Sequence, residues 1–536
     1  MSTHMIQRRF TTVDGRQVHY RIAGSGPALL LIHQSPQNSR MWLEMMARYA
    51  DRYTVVAPDT PGFGHSDPLP GNPMAIADFG AATLRFLDAI GLQRCAVFGM
   101  HTGGLIAAWL AWAHPERVAA LVVDGYAAFT PEESALYGDA YLPPFVPQWD
   151  GSHLRWLWAR MREQKYFFPW YDGRAEAAMA IAPHTTASTH EAVMDVLDVG
   201  DAYRSGYAAA FRHNDHHWLQ QLEVPAWLVY RHGDPLRAHA PRLQGLPDHV
   251  AVVDEPGGIP AMHDRMDGWL AQALAGEPDY AGSTTRDAPP GGAWRRRIFA
   301  TGAGGIAAWE RGGRGRLHLC LHAPGTRPFV PGQLPTGEEA WLLPDLPGHG
   351  ASSECEGELD AASVVAAVLE VLKAGDASLP VLIEAHGAAA GYVPALVDVL
   401  GRRVDGVELH APWLLEAGEQ TVLLQGLPTT TIDRAGGHLG DAWQWERERH
   451  LMWPWLQPCA EARRLVAAPE PAQVHANVVE LLRLGARLHT LLGDATAPGL
   501  AWRLRALAVP VRVVADAHDD YLGRAAALSA PTEGRP

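Results

Sequence analysis

The chain has 536 residues, a length that suits two domains better than one, and 47% of them are apolar, enough to fill two cores. A net charge of −15 without any long Lys/Arg run argues against nucleic acid or an anionic membrane surface as partner. Four scattered cysteines (Cys95, Cys320, Cys355, Cys459) form no CxxC pair and exclude a disulfide framework. Met1 to Phe10 has no apolar signal core and no run of eighteen apolar residues occurs, so a cytoplasmic, membrane-free protein is expected.

In chain order, Gln7 to Tyr20 with the turn Asp14-Gly15 reads as a β-hairpin. Ala28 to Ile32 is a continuous apolar run, the mark of a strand buried on both faces. His33-Gln34-Ser35-Pro36 follows at its carboxyl end, where open α/β sheets place ligands. Tyr53 to Ala57 gives the next strand, ending in Asp59-Thr60-Pro61-Gly62-Phe63-Gly64-His65-Ser66, and Ala75 to Leu92 has helical periodicity. Val97-Phe98-Gly99-Met100-His101-Thr102-Gly103-Gly104 then reads as a strand, a sharp glycine-flanked turn and a helix. Val118 to Val123 forms a further strand before Asp124-Gly125. A Trp-, Tyr- and His-rich helical stretch, Phe129 to about Leu222, interrupts the sheet pattern, and within it lies Asp150-Gly151-Ser152-His153-Leu154-Arg155-Trp156. Pro225 to Tyr230 resumes the sheet shortly before Asp234, and Val250 to Asp254 is the last strand of this half.

The strand-turn-helix at His101, the Gln34 loop, the D-x-P-G-x-G-x-S turn at Asp59, the helical insertion and Asp234 together resemble the α/β-hydrolase superfamily, over residues 7 to 275. The resemblance implies a mostly parallel, doubly wound sheet with a cap at about 129–222, and a nucleophile elbow at His101. It also implies an oxyanion hole from the Gln34 and Thr102 amides, and Asp234 as catalytic acid. The chain departs from the pattern twice. His101 stands where the family carries Ser, and Pro256-Gly257-Gly258-Ile259-Pro260 replaces the loop of the catalytic His, with His263 displaced. Asp234 is left to pair with His263, with His101, or with nothing. The chain is also similar to a bacterial subset of the superfamily with G-x-H-T-G and D-G-S-H-L stretches.

Residues 276–293, rich in Pro, Gly and Asp, read as a linker, after which the pattern repeats over 294–536. Leu317 to His322 matches the Ala28 strand, Asp345-Leu346-Pro347-Gly348-His349-Gly350 the Asp59 turn, and Val381 to Gly387 the elbow with His386 at its tip. Met452-Trp453-Pro454-Trp455 matches Phe167-Phe168-Pro169-Trp170. One offset relates His386 to His101, His438 to His153 and Asp519 to Asp234 (386 − 101, 438 − 153 and 519 − 234 all give 285). Two fused domains are therefore expected, the second degenerate and truncated, pairing as an intrachain pseudodimer.

The expected site in the first domain comprises His101, Asp234 and His153 as catalytic residues, with His33, Gln34, Ser35, Thr102 and Trp156 around the oxyanion and substrate. No metal or other cofactor is expected. At a helix N-terminus the His101 imidazole should be neutral, with a lowered pKa. The expected activity is a cofactor-independent reaction on a small organic carbonyl compound (ester, thioester, lactone or C–C bond), with His101 as base or nucleophile. Lyase or isomerase chemistry on the same fold, and a catalytically inactive small-molecule binder, are the alternatives.

Overall fold

The computed structural model describes residues 5–71, 75–179, 181–282, 292–333, 337–352, 359–374, 378–452, 459–460, 462–514, 524 and 528. By their contacts the residues form two compact units, Met1–Val146 with Trp156–Arg286, and Pro147–Arg155 with Asp287–Pro536. No helix among the described residues is long and apolar enough to cross a membrane.

The first unit is built on an eight-stranded sheet. Its elements begin with β1 (Gln7–Val13), β2 (Arg16–Ala23), β3 (Ala28–Ile32), α1 (Leu43–Tyr49), β4 (Thr54–Pro58), α2 (Ile76–Ala89), β5 (Cys95–Met100), α3 (Thr102–Ala113) and β6 (Val118–Asp124). A helical insertion follows, with α4 (Pro131–Tyr141), α5 (Ser152–Glu163), α6 (Thr186–Val199), α7 (Tyr203–Arg212) and the short α8 (His217–Gln220). The sheet then closes with β7 (Ala226–Arg231), β8 (Val250–Glu255) and α9 (Gly258–Ala273). Strand order is β1-β2-β4-β3-β5-β6-β7-β8, antiparallel where β2 meets β1 and β4 and parallel across the rest. All five residues of β3 and of β4 and all seven of β6 are buried, as the apolar runs require. On one face Leu29, Leu31 and Phe98 pack against Met45 and Tyr49 of α1 and Met262, Met266 and Leu270 of α9. Each such side chain contributes about 1.5–3 kcal/mol.

The Asp59 turn is tied down by polar contacts. Asp59 Oδ2 accepts from His19 Nδ1 (2.8 Å) and from the His65 N–H (2.9 Å), and Oδ1 accepts from the Ser39 N–H (2.8 Å). The His19 N–H in turn donates to Ser66 Oγ (3.0 Å). Such a fully bonded buried carboxylate holds the loop carrying Thr60 beside the end of β3.

The second unit contains β9 (Arg295–Thr301), β10 (Gly304–Arg311), β11 (Leu317–Leu321), β12 (Ala340–Pro344), α10 (Ala361–Lys373), β13 (Val381–His386), α11 (Val393–Leu400) and β14 (Val404–His410). It continues through α12 (Ala417–Gln425), α13 (Gly437–Leu451) and α14 (Pro471–Leu484) to β15 (Val511–Val514). Its seven strands run β9-β10-β12-β11-β13-β14-β15, the order of β1 to β7. Leu319, Ile383 and Val407 bury one sheet face against Val364, Val368 and Leu396 of α10 and α11. His322 Nε2 accepts the Leu346 N–H at 2.9 Å, and the Ala307 N–H donates to Ser352 Oγ at 3.0 Å.

The elbow of this unit differs from the sequence expectation. His386 is the last residue of β13, paired in register with His410, just as Met100 is paired with Asp124. The left-handed tip belongs to Gly387 (φ +55°), while His386 has an ordinary extended φ of −105° and stacks flat on His410, with ring centroids 4.2 Å apart. Glycine takes that backbone without a Cβ penalty, so the turn closes one residue later than the sequence match implied. Asp519 and Trp453 to Trp455 lie outside the described residues.

Candidate functional site

The elbow of the first unit is built by close backbone approach. A Cβ on Gly103 would lie 2.2 Å from Ile32 O and 2.6 Å from His33 O, and one on Gly99 would lie 2.3 Å from Gly103 O. Only glycine lets α3 start that close to β3 and β5. The residue between is forced into φ +47°, ψ −112°, a conformation costing about 1–3 kcal/mol for a side chain with a Cβ. That residue is His101. Its N–H donates to Asp124 O at the end of β6 (3.0 Å), and its carbonyl accepts from the Leu105 N–H (3.1 Å).

The ring is held from behind by Asp234, the carboxylate in the loop after β7. His101 Nε2 lies 2.9 Å from Asp234 Oδ2, and Asp234 Oδ1 accepts the Leu236 N–H at 2.8 Å. Asp234 is 2% exposed, whereas the His101 side chain keeps 23% of its surface open. A carboxylate acceptor at Nε2 puts the proton of the neutral ring on that nitrogen. Nδ1 then presents a lone pair, and it has no hydrogen-bond partner among the described residues.

Two further buried charges complete the setting. Arg231 Nε is 2.8 Å from each oxygen of Asp124, and its Nη2 is 3.6 Å from Asp234 Oδ2. Burial opposes charge on His101, yet Asp234, with Asp124 beyond it, lifts the imidazole above its usual pKa. The expectation of a lowered pKa is therefore corrected: a carboxylate at 2.9 Å outweighs the helix dipole. Burial likewise opposes charge on Asp234, but His101 and the Leu236 amide hold it at about 2. Burial pushes Asp124 up against the pull of Arg231. From the insertion, the half-buried Lys165, one of two lysines in the chain, feels burial and Arg231, which depress its ammonium, and Asp234, which opposes them.

The other expected residues have distinct places. His33 is 1% exposed. Its Nε2 accepts the Thr60 N–H at 2.8 Å, so Nδ1 carries the proton and donates to Gln34 O (3.0 Å). It braces the loop between β3 and the Asp59 turn. Gln34 O also accepts from the Gln37 N–H (3.0 Å), and the Gln34 side chain donates to Gln37 Oε1 (2.6 Å). Ser35 is buried against α7, where a Cβ on Gly206 would lie 2.7 Å from its Oγ. Thr102 is buried and opens α3, so its N–H has no partner inside the helix. The Trp156 ring packs on Phe145 and Trp170, both at 6.2 Å.

His153 falls in the segment Pro147–Arg155, which belongs with the second unit. Its Nδ1 accepts the Gln148 N–H (3.1 Å), its Nε2 lies 3.2 Å from His475 Nδ1, and its ring stands edge-on to Trp443 at 4.8 Å. Burial and His475 push its pKa down to about 3. His263 of α9, the alternative partner of Asp234, instead rests edge-on against Tyr49 of α1. Asp124, Gly125 and Arg231 were missed as site residues. The available signal was position, because all three stand at or just past the carboxyl ends of parallel strands. Among the described residues no three His, Cys, Asp or Glu side chains converge as a metal-binding set.

Residues 27–258 match the sequence model of the family described as alpha/beta hydrolase fold. An uncharacterized protein of Mycobacterium tuberculosis is 35% identical over 135 residues, 25% of this chain and 39% of that protein. A fluoroacetate dehalogenase of a Burkholderia species is 32% identical over 121 residues, 22% of this chain and 40% of its own length. The chain thus spans about two fifths of these curated relatives. Among solved structures, epoxide hydrolase A from Mycobacterium thermoresistibile aligns with a TM-score of 0.40 and 19% identity, covering 51% of this chain and 99% of that one. The first unit has the α/β-hydrolase fold.

Proposed function

We propose that the first unit is a cofactor-independent hydrolase acting on a small ester, thioester or lactone, with His101 as general base. The observation that carries the proposal is the strained, partly exposed imidazole whose Nε2 is committed to Asp234 at 2.9 Å and whose Nδ1 is uncommitted. Nδ1 takes a proton from water as the hydroxide oxygen adds to the substrate carbonyl. The Gln34 and Thr102 amides receive the developing oxyanion, and the imidazolium then returns its proton to the departing alkoxide or thiolate. Asp234 balances the positive ring while it exists, and Arg231 keeps Asp124 and Asp234 from repelling each other. General-base assistance is worth roughly 10²–10⁴-fold and an oxyanion donor about 10²–10³-fold.

With no hydroxyl at the elbow tip, no acyl-serine forms there, and attack passes through water or the imidazole itself. That same absence favours a second reading, in which Nδ1 removes a proton from carbon next to a carbonyl and the amides hold an enolate, as a lyase or isomerase requires. The tandem duplication belongs to this proposal too. It is supported by the shared strand order and by the parallel bonds His33 to Thr60 and His322 to Leu346.

The test is a panel of short-chain esters, thioesters, lactones and β-dicarbonyl compounds, with native protein and His101→Ala. Hydrolysis by the native protein and its loss in a folded variant support the reading. Turnover that survives His101→Ala contradicts it, and tight binding without turnover of any class points to the inactive binder.

A further inference from the structure

The helical insertion of the first unit carries a cavity that the dyad does not use. It occupies about 590 Å³ and is walled by α4, α7 and the Pro68-Leu69 loop, and it shares no residue with His101, Asp234 or Arg231. That size lies within the range of small-molecule sites. Helix α4 breaks over it at Gly138 (φ −25°, ψ −111°), where a Cβ would meet no atom within 4 Å.

The polar wall is short of acceptors. Ser134 Oγ and Arg204 Nε are both buried without a hydrogen-bond partner. Arg204 Nη1 reaches Asp201 Oδ2 at 3.2 Å, but Asp201 Oδ1 is already taken by the Phe145 N–H (2.8 Å). Arg212 is exposed at the rim, with no carboxylate partner among the described residues. The groove therefore offers a hydroxyl, a buried Nε–H and a guanidinium fork, and its one lining carboxylate, the half-exposed Asp201, is already paired with Arg204. Buried donors left without an acceptor are costly, and a bound anion would supply acceptors to Ser134 and Arg204 and a counter-charge to the exposed Arg212. The remaining wall is apolar, formed by Leu69, Leu142 and Phe211.

We propose that this groove binds a small organic anion, a carboxylate or phosphate monoester on a short apolar body, independently of the chemistry at His101. The anionic head meets Ser134, Arg204 and Arg212, and the apolar body lies along Leu142 and Phe211. Arginine suits either head group because its planar fork matches the spacing of two oxygens.

Calorimetric titration of the full chain with octanoate, octyl phosphate, octanol and inorganic phosphate tests the assignment. Octanoate or octyl phosphate should bind at least tenfold more tightly than octanol, and whichever is tighter identifies the head group. Octyl phosphate should also exceed inorganic phosphate. Arg212→Ala, together with Ser134→Ala, should weaken the preferred anion at least tenfold, and Ala135→Trp, which fills the groove without touching charge, should abolish binding. Equal affinity for octanol, affinity unchanged in both the charge and the filling variants, or no binding of either alkyl anion overturns the proposal. Because the readout is heat of binding, failure here and failure of the hydrolase reading are separate results.

Discussion

Gly125 makes room for the His101 ring: a Cβ at position 125 would lie 2.6 Å from His101 Cδ2 and 2.7 Å from Nε2, with Asp234 Oδ2 at 3.1 Å. The dyad therefore depends on a missing methyl group at the end of β6, where φ is +72°. Gly125→Ala should displace the imidazole from Asp234 and lower kcat by roughly 10²-fold, since small misplacements of a reacting group are that costly. The backbone strain should add about 1 kcal/mol of destabilisation. Steady-state kinetics beside a thermal melt check this, and full activity in a folded variant would show that the ring tolerates displacement.

Asp234→Asn should lower the His101 titration, read by NMR of ring-labelled histidine, because the largest charge favouring the imidazolium is gone. The stability effect has a defined pH window. Asp234, depressed to about 2, contributes above its unfolded value near 3.9 and loses that contribution as pH falls towards 2. His101, raised, contributes below about 6.5 and loses that contribution as pH rises through its folded value. The cost of the substitution should thus peak between about pH 4 and 6.5, at about 2–3 kcal/mol. A cost that does not vary with pH would contradict the pairing.

Buried neutral histidines make the protein acid-labile by a different route. Burial lowers His19 to about 4 despite the opposing pull of Asp59. The unfolded chain then binds this proton first, near pH 6.5, so stability present above 6.5 is lost as pH falls to 4, by about 3 kcal/mol. Urea midpoints should fall steeply across that interval. His19→Leu, which leaves Asp59 short of a donor, should be less stable at pH 8 but show a shallower acid slope. An unchanged slope would rule out His19 as a source of the lability.

His153→Phe should weaken the second unit by about 1–3 kcal/mol, because Gln148 and His475 each lose a partner. It should leave turnover at His101 within about twofold, since His153 lies in the segment that belongs with the second unit. A large fall in kcat without unfolding would show instead that His153 serves the reaction.

Much of the architecture was legible because it is written in local pattern. The runs Ala28 to Ile32 and Val118 to Val123 are buried on both faces, and glycines at 99, 103 and 104 admit no other approach of α3. The direct pairing of His101 with Asp234 was one of three options and depends on a distance across 133 positions of sequence. The raised imidazole pKa was missed because Asp234, with Asp124 beyond it, acts from other strands against burial and Arg231, which no local rule reports. The partners of His153, Trp443 and His475, were not legible because its stretch is read in order with the insertion. At the second elbow an alignment by residue type chose His386, whereas strand register and positive φ put Gly387 at the tip.

The central claim, that His101 and Asp234 work as one unit, is tested most directly by a double-mutant cycle on kcat/KM for the best ester or lactone substrate. His101→Gln should lower it by roughly 10³-fold or more, and adding Asp234→Asn should cost little further, as expected of residues acting together. Additive losses, or activity retained in His101→Gln, would contradict the account.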